Sequence, residues 1–206
     1  MIPVSAQEVG PVALARMLRD GVLAPLAPRH GMPRDVPESS LARALCLSPV
    51  VPAHTVVSGL AGLWVRHGGA APSVADLVGA RGLHRAKPGA EARGWTLVFH
   101  SGGAATGPRT EFGGIVVASA ERCAADALRW RDLATAIEVV FLAVRAGSVE
   151  PAAIEALVVR DDPRGHGAAR ARYAWGALAA TLGPSPTANP EGGVCVCPSA
   201  PGGECP

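Results

Sequence analysis

Residues 113–130 read GGIVVASAERCAADALRW and carry the clearest structural signal in the chain. The run IVVA is rich in β-branched residues and favours a strand. Ser119 is a suitable N-cap for the helix that follows, in which Arg122 and Asp126 lie one turn apart. The opposite face of that helix is apolar and is formed by Cys123, Ala127 and Trp130. The stretch predicts a strand followed by a helix with an exposed Arg122–Asp126 pair, worth about 0.3–0.5 kcal/mol.

The segments on either side extend this pattern to an α+β fold. Two more strand-like runs, SVADLVGA at 73–80 and WTLVFHSG at 95–102, are separated by Gly, Pro and polar residues, which is typical of a small antiparallel sheet. Residues 53–68, AHTVVSGLAGLWVRHG, have the spacing of one helix ending at Gly68. Further helices are predicted from Ser39 or Ser40 to Leu47 and over 131–146, 150–159 and 166–182.

The N-terminal segment predicts a helix followed by a hairpin. In PVALARMLRDG, residues 11–21, an apolar stripe is formed by Val12, Leu14, Ala15, Leu18 and Val22 just beyond. Pro25 and Pro28 exclude a helix over 22–35 and suit an edge hairpin around His30. A helix followed by a basic-tipped hairpin is the second half of a winged helix.

Three parts are therefore predicted along the chain. Residues 1–36 form a partial winged-helix-like segment and residues 37–183 form an α+β body in which helices pack on the small sheet. Residues 184–206 are rich in Pro and Gly without apolar periodicity, which predicts a disordered tail.

Composition limits the function classes. The 206 residues are 49% hydrophobic and carry a net charge of only +2, so nucleic acid would have to be bound by a local cluster of Arg. The apolar runs are shorter than a membrane span, and the N-terminus MIPVSAQEVG lacks the features of a signal peptide. We therefore expect a cytoplasmic protein that makes no membrane contact and whose cysteines are thiols.

Neither the histidines nor the cysteines predict a metal site. The six histidines form no HxH, HExxH or HxxxH pair. Cys195, Cys197 and Cys205 lack both the spacing and the fourth ligand of a structural zinc site, while Cys46 and Cys123 fall within apolar helical stripes. We expect no bound metal and no cofactor.

The sequence also lacks an enzyme active site. The Gly-rich segment 101–110 has no phosphate-loop Lys-Ser/Thr and is interpreted as a loop, and Ser58 lies within a predicted helix outside a GxSxG frame. Asp161 and Asp162 suit a turn between helices. A nuclease would need spaced carboxylates with a Lys, and Lys87 is the single Lys of the chain. We therefore predict a non-enzymatic protein with no catalytic residues.

Clustered Arg residues remain as candidate binding groups. The helix and hairpin carry Arg16, Arg19, Arg29, His30 and Arg34, which are the predicted DNA-binding residues. A second group in the loop after the first predicted strand consists of Arg81, His84, Arg85 and Lys87.

Three segments resemble the actinobacterial branch of the AbiEi family, antitoxins of type IV toxin–antitoxin systems. They are HTVVSGLAGLWVRHG at 54–68, the stretch 113–130, and AGSVEPAAIEAL at 146–157, and the likeness runs roughly from Ala13 to Leu182. The resemblance implies binding to the protein's own promoter DNA and opposition to a nucleotidyltransferase toxin encoded next door. Related chains place a complete winged helix before this body, and some add a short-patch-repair-like nuclease after it.

Two departures from that pattern leave alternatives open. Only about ten residues precede the helix at 11–21, so the DNA-binding unit is expected to be partial, and the cysteine tail stands where a nuclease would follow. The first alternative is a protein-interaction module of the same family that has lost DNA binding. The second, a nuclease-related enzyme, would need an acidic metal site.

Overall fold

The computed structural model describes residues 2–79, 89–101, 107–162 and 165–182 and shows a mixed α+β fold, as predicted. The N-terminal elements are β1 (Val4–Ser5), α1 (Ala6–Val9), α2 (Pro11–Arg19), β2 (Leu23–Ala27) and β3 (His30–Pro33). They are followed by α3 (Ser40–Leu47), β4 (Val56–Ser58), α4 (Gly59–His67), β5 (Val74–Gly79), a short 3-10 turn (Glu91–Arg93), β6 (Thr96–Ser101), β7 (Arg109–Phe112) and β8 (Ile115–Ala118). The last elements are α5 (Ala120–Trp130), α6 (Leu133–Arg145), α7 (Pro151–Arg160) and α8 (Ala168–Leu182). The predicted tail at 184–206 lies outside the described residues.

The main sheet has the strand order β6-β5-β4-β8-β7 and is mixed. Strand β4 pairs antiparallel with β5 but parallel with β8, and β5 pairs parallel with β6. The prediction that the body strands form an antiparallel sheet is therefore wrong. Parallel neighbours need long connections, and local patterns do not show which distant strands will meet across them.

The predicted helix at 53–68 is wrong in its first half. His54 has a left-handed φ of 64°, and Val56 and Val57 belong to the central strand, where they are 4% and 0% exposed. The helix begins only at Gly59. Pairing of β4 on both edges outweighs the helical spacing of its apolar residues, because β-branched side chains suit a strand buried on both faces.

The N-terminal hairpin is confirmed and belongs to a second, antiparallel sheet of order β1-β3-β2. The predicted stripe on α2 is only partly correct: Leu14 is buried and Leu18 packs beside it, whereas Val12 and Val22 are 82% and 57% exposed. Val12 lies on the opposite side of the helix from Leu14, and Val22 lies beyond its end.

This small sheet has a different core on each side. Leu14 and Leu23 pack with Ala6 in a small cluster, while Leu26 and Met32 belong to the main core of the body. The sheet therefore lies between α2 and the body, and the domain boundary predicted at residue 36 stays a prediction.

The main core is closely packed around α4 and α5. The rings of Trp64 and Trp95 meet at a centroid distance of 5.8 Å. Cys46 and Cys123 are fully buried, as predicted. A Cβ atom on Gly62 would overlap the Sγ of Cys123, so close approach of α4 and α5 requires glycine at this position.

Candidate functional site

Three of the predicted DNA-binding residues converge at the C-terminal end of α2. Arg16 and Arg19 have side chains that are 75% and 74% exposed, and each places its Nε near a carboxylate oxygen of Asp20, at 3.4 and 3.2 Å. The exposed Arg34 comes from the chain after β3, and a Cβ on Gly21 would lie 3.9 Å from its Nε. We call Arg16, Arg19 and Arg34 the α2 cluster.

Arg29 and His30 lie instead at the other end of the hairpin, where its tip packs on the body. Arg29 adopts a left-handed φ of 57°, and its Nη1 donates a 3.0 Å hydrogen bond to the carbonyl of Ala92. A Cβ on Gly94 would lie 2.9 Å from the Cβ of Pro28, so the tip and the body loop are in close contact.

The structure buries His30, in contrast to the sequence expectation of an accessible binding group. His30 is only 5% exposed, and its Nδ1 lies 2.6 Å from the carbonyl oxygen of Pro28. Burial lowers the pKa of His30, which favours the neutral ring at neutral pH. This ring cannot reach a phosphate unless the hairpin tip opens. The second predicted basic group, Arg81, His84, Arg85 and Lys87, lies outside the described residues.

A buried polar network joins the centre of the main sheet to α5. The carboxylate of Asp126 is 0% exposed and accepts hydrogen bonds from the Ser58 hydroxyl at 2.6 Å and from Arg122 Nε at 3.1 Å; Arg122 Nη2 donates to its other oxygen. Arg122 Nη1 also donates to Asp161 at 2.8 Å, and Arg129 donates to the second oxygen of Asp161 at 2.6 Å.

The prediction of an exposed, weak Arg122–Asp126 pair is therefore wrong, as is the placement of Ser58 within a helix. Arg122 and Asp126 do pair across one turn of α5, but their spacing does not reveal which faces of α5 pack against the rest of the body. Burial by itself would lower the pKa of Arg122. The hydrogen bonds and negative charges of Asp126 and Asp161 outweigh it and raise the pKa, so Arg122 stays cationic. Burial raises the pKa of Asp126, and the hydrogen bonds from Arg122 and Ser58 act against that rise.

A second buried acid, Asp76 on β5, holds His100 and Arg131. His100 Nε2 lies 2.7 Å from Asp76 Oδ1, which also accepts from Arg131 Nη2. The His100 ring stacks on Trp130 at 3.6 Å between centroids with 5° between planes. Among the described residues the other oxygen, Oδ2, has no hydrogen-bond partner. Sequence reasoning missed this group because its members share no motif spacing.

These networks form one wall of a cleft of about 560 Å³ beside the end of β6. The cleft is lined by Phe99, His100, Arg122, Arg129, Trp130, Arg160, Asp161 and His166, among others. Two of its guanidinium groups are already paired with Asp161. Within the part of the chain that the structure describes, no hydroxyl or thiol hydrogen-bonds to His100, so the wall resembles a structural network more than a nucleophile and its base.

The residues that the structure describes indicate neither a metal site nor a reactive thiol. Over 2–79, 89–101, 107–162 and 165–182, no group of three or more His, Cys, Asp or Glu is placed to hold a metal. Burial raises the pKa of both Cys46 and Cys123 to about 12. Cys195, Cys197 and Cys205 lie outside these ranges. None of the helices in these ranges is long and apolar enough to cross a membrane.

Comparison with known proteins identifies no relative. No family model matches the chain, and no curated protein or solved structure matches it.

Proposed function

We propose that this protein is a non-enzymatic, antitoxin-like regulator that contacts DNA through the α2 cluster. The observation that carries the proposal is the convergence of Arg16, Arg19 and Arg34 from two separate segments onto one exposed end of α2. The resemblance to AbiEi antitoxins supplies the target, promoter DNA, and the opposing partner, a nucleotidyltransferase toxin. Direct contact with that toxin is not part of the proposal.

The electrostatics of the α2 cluster permit phosphate binding by side chains alone. The ion pairs of Arg16 and Arg19 with Asp20 are exposed and therefore weak, so a DNA phosphate can compete for both guanidinium groups. The C-terminal end of a helix carries partial negative charge, so backbone amides do not assist here. We accordingly expect mainly electrostatic binding with a strong salt dependence.

The test is a fluorescence anisotropy titration of the full chain against its own promoter fragment at several salt concentrations. Each phosphate contact contributes about 0.9 to the slope of log affinity against log salt. The slope is negative, and replacing Arg16, Arg19 and Arg34 together by Ala should make it shallower by about 2.7. Arg170→Ala, at an exposed position on α8, is the matched control and should leave the slope unchanged.

Retention of the full slope by the triple variant would contradict the proposal. A second experiment, co-expression with the neighbouring nucleotidyltransferase gene, measures toxin neutralisation separately from promoter binding. We assign the antitoxin effect to the α+β body at 37–183, so the triple variant should still restore growth while losing promoter binding.

One observation favours the second candidate, an interaction module without DNA binding. The hairpin tip, which a winged helix would place in a DNA groove, is instead held against the body by the Arg29–Ala92 hydrogen bond and the Pro28–Gly94 contact. This candidate predicts no preference for promoter DNA over unrelated DNA at any salt concentration.

A further inference from the structure

Helix α6 is more apolar than its burial in this chain explains. Ten of its thirteen residues are apolar, yet only Ala136 and Val140 are fully buried; six others are only partly buried against the main core, namely Leu133, Ile137, Val139, Phe141, Ala143 and Val144. Leu142 is 57% exposed. A helix that is apolar on most sides normally packs against protein on most sides, so α6 has an apolar face left to cover.

That face forms one wall of a groove between α6 and α4 of about 470 Å³. Leu63 and Trp64 line it from α4, and six residues line it from α6 and its C-cap: Thr135, Glu138, Val139, Leu142, Ala143 and Ala146. Four of them, Thr135, Val139, Leu142 and Ala146, are spaced by four, three and four positions. This is the spacing of the seam of a two-helix coiled coil.

Charged residues flank the seam at positions that select a partner. Glu138 and Arg145 are exposed and directly precede Val139 and Ala146. In the described part of the chain neither residue forms an ion pair. They stand seven positions apart, so both occur on the same side of the seam.

We propose that the partner on this face is a second copy of the same chain, with the two α6 helices packed antiparallel about a two-fold axis. Val139 then packs against Leu142 of the second copy and Thr135 against Ala146 of the second copy. In this register Glu138 faces Arg145 of the second copy, and the two-fold axis forms this pair twice. A parallel pair with the same seam would instead place Glu138 opposite Ala143 of the second copy, so the attraction between Glu138 and Arg145 would be lost.

The experiment is sedimentation equilibrium of the full chain over a wide range of protein concentration. The wild type should dimerise, and Glu138→Arg or Arg145→Glu alone should each raise the dimer Kd about tenfold, because two attractions become two repulsions. The double variant, with both charges exchanged, should return the Kd to near the wild-type value. Glu155→Arg, at an exposed position on α7, is the control and should change nothing.

Leu142→Glu provides a second arm at a position too exposed for its replacement to unfold the chain. It should give a monomer whose melting temperature equals that of the wild type diluted below its dimer Kd. A wild type that is monomeric at every concentration would overturn the proposal. A dimer whose Kd is unaffected by Leu142→Glu would also overturn it. So would a double variant whose dimer Kd stays as high as that of the single variants. The test makes no use of DNA, so its failure is separate from failure of the proposed function.

Discussion

The hydroxyl of Ser58 donates a 2.6 Å hydrogen bond to Asp126, a residue 68 positions later in the chain, and both residues are completely buried. Ser58 ends the central strand β4, and its register partner on β5 is Asp76, the second buried acid. The two polar networks of the body therefore meet at the end of β4. This junction positions α5 against the sheet, and its members should be sensitive to substitution.

Asp126→Asn should destabilise the protein strongly. The substitution removes the buried one of the two carboxylates that pair with Arg122 and leaves Asp161 as its remaining charged partner; breaking a buried pair in this way typically costs about 3–5 kcal/mol. Urea denaturation followed by circular dichroism measures the loss, and Glu155→Gln on the exposed side of α7 should cost less than about 0.5 kcal/mol. A loss below about 1 kcal/mol for Asp126→Asn would show that water or a shifted Arg122 replaces the interaction.

Gly59→Ala should cost more than Gly69→Ala, although both glycines have positive φ values of 60° and 89°. A Cβ on Gly59 would lie 2.6 Å from Asp76 Oδ2, whereas nothing lies within 4 Å of a Cβ on Gly69. The difference between the two free energies of unfolding isolates the clash and should be about 1–3 kcal/mol. Equal losses would mean that Asp76 moves without cost.

Stability should fall as the pH drops below the ordinary histidine pKa of 6.5. Burial lowers the pKa of His30 in the folded chain, so the unfolded chain takes up protons first. The contribution is fully present above pH 6.5 and is lost as the pH falls from there toward the folded pKa.

Urea denaturation between about pH 7.5 and 5.5 tests this dependence. A buried histidine contributes up to about 1.4 kcal/mol per pH unit, so His30→Gln should reduce the slope by up to that amount. His166→Gln, at an exposed position, is the matched control. An unchanged slope in His30→Gln would show that His30 is protonated without opening the hairpin tip.

Cys46 and Cys123 should resist alkylation in the native protein. Both thiols are 0% exposed, and a pKa of about 12 leaves almost no thiolate at neutral pH. A variant with Cys195, Cys197 and Cys205 replaced by Ser removes the remaining thiols from the measurement. Native protein should then react with almost no reagent, and denatured protein with two equivalents per chain. Rapid native labelling would reveal local opening of α3 or α5.

Features decided by neighbouring residues could be predicted from the sequence. Ser39 and Ser119 act as N-caps, accepting hydrogen bonds from the backbone amides of Ala42 and Arg122 at 3.2 Å each. The helices over the last third of the body and the N-terminal hairpin occur where their spacing and prolines place them. Capping and turn formation act within a few residues, so a single sequence contains the necessary information.

Tertiary structure alone decided which candidate residues are accessible. The sequence predicts Arg16, Arg19 and Arg34 only as part of a larger set of binding residues. Arg29 is separated from them, and His30 is buried, because the hairpin tip packs on residues 89–94. The helical spacing of 53–68 is overridden where β4 pairs on both edges, and Arg122 and Asp126 are buried by the packing of α5 against β4, α4, α7 and α8. Burial and strand pairing depend on contacts between segments that are distant in the sequence. A short stretch of sequence therefore cannot determine them.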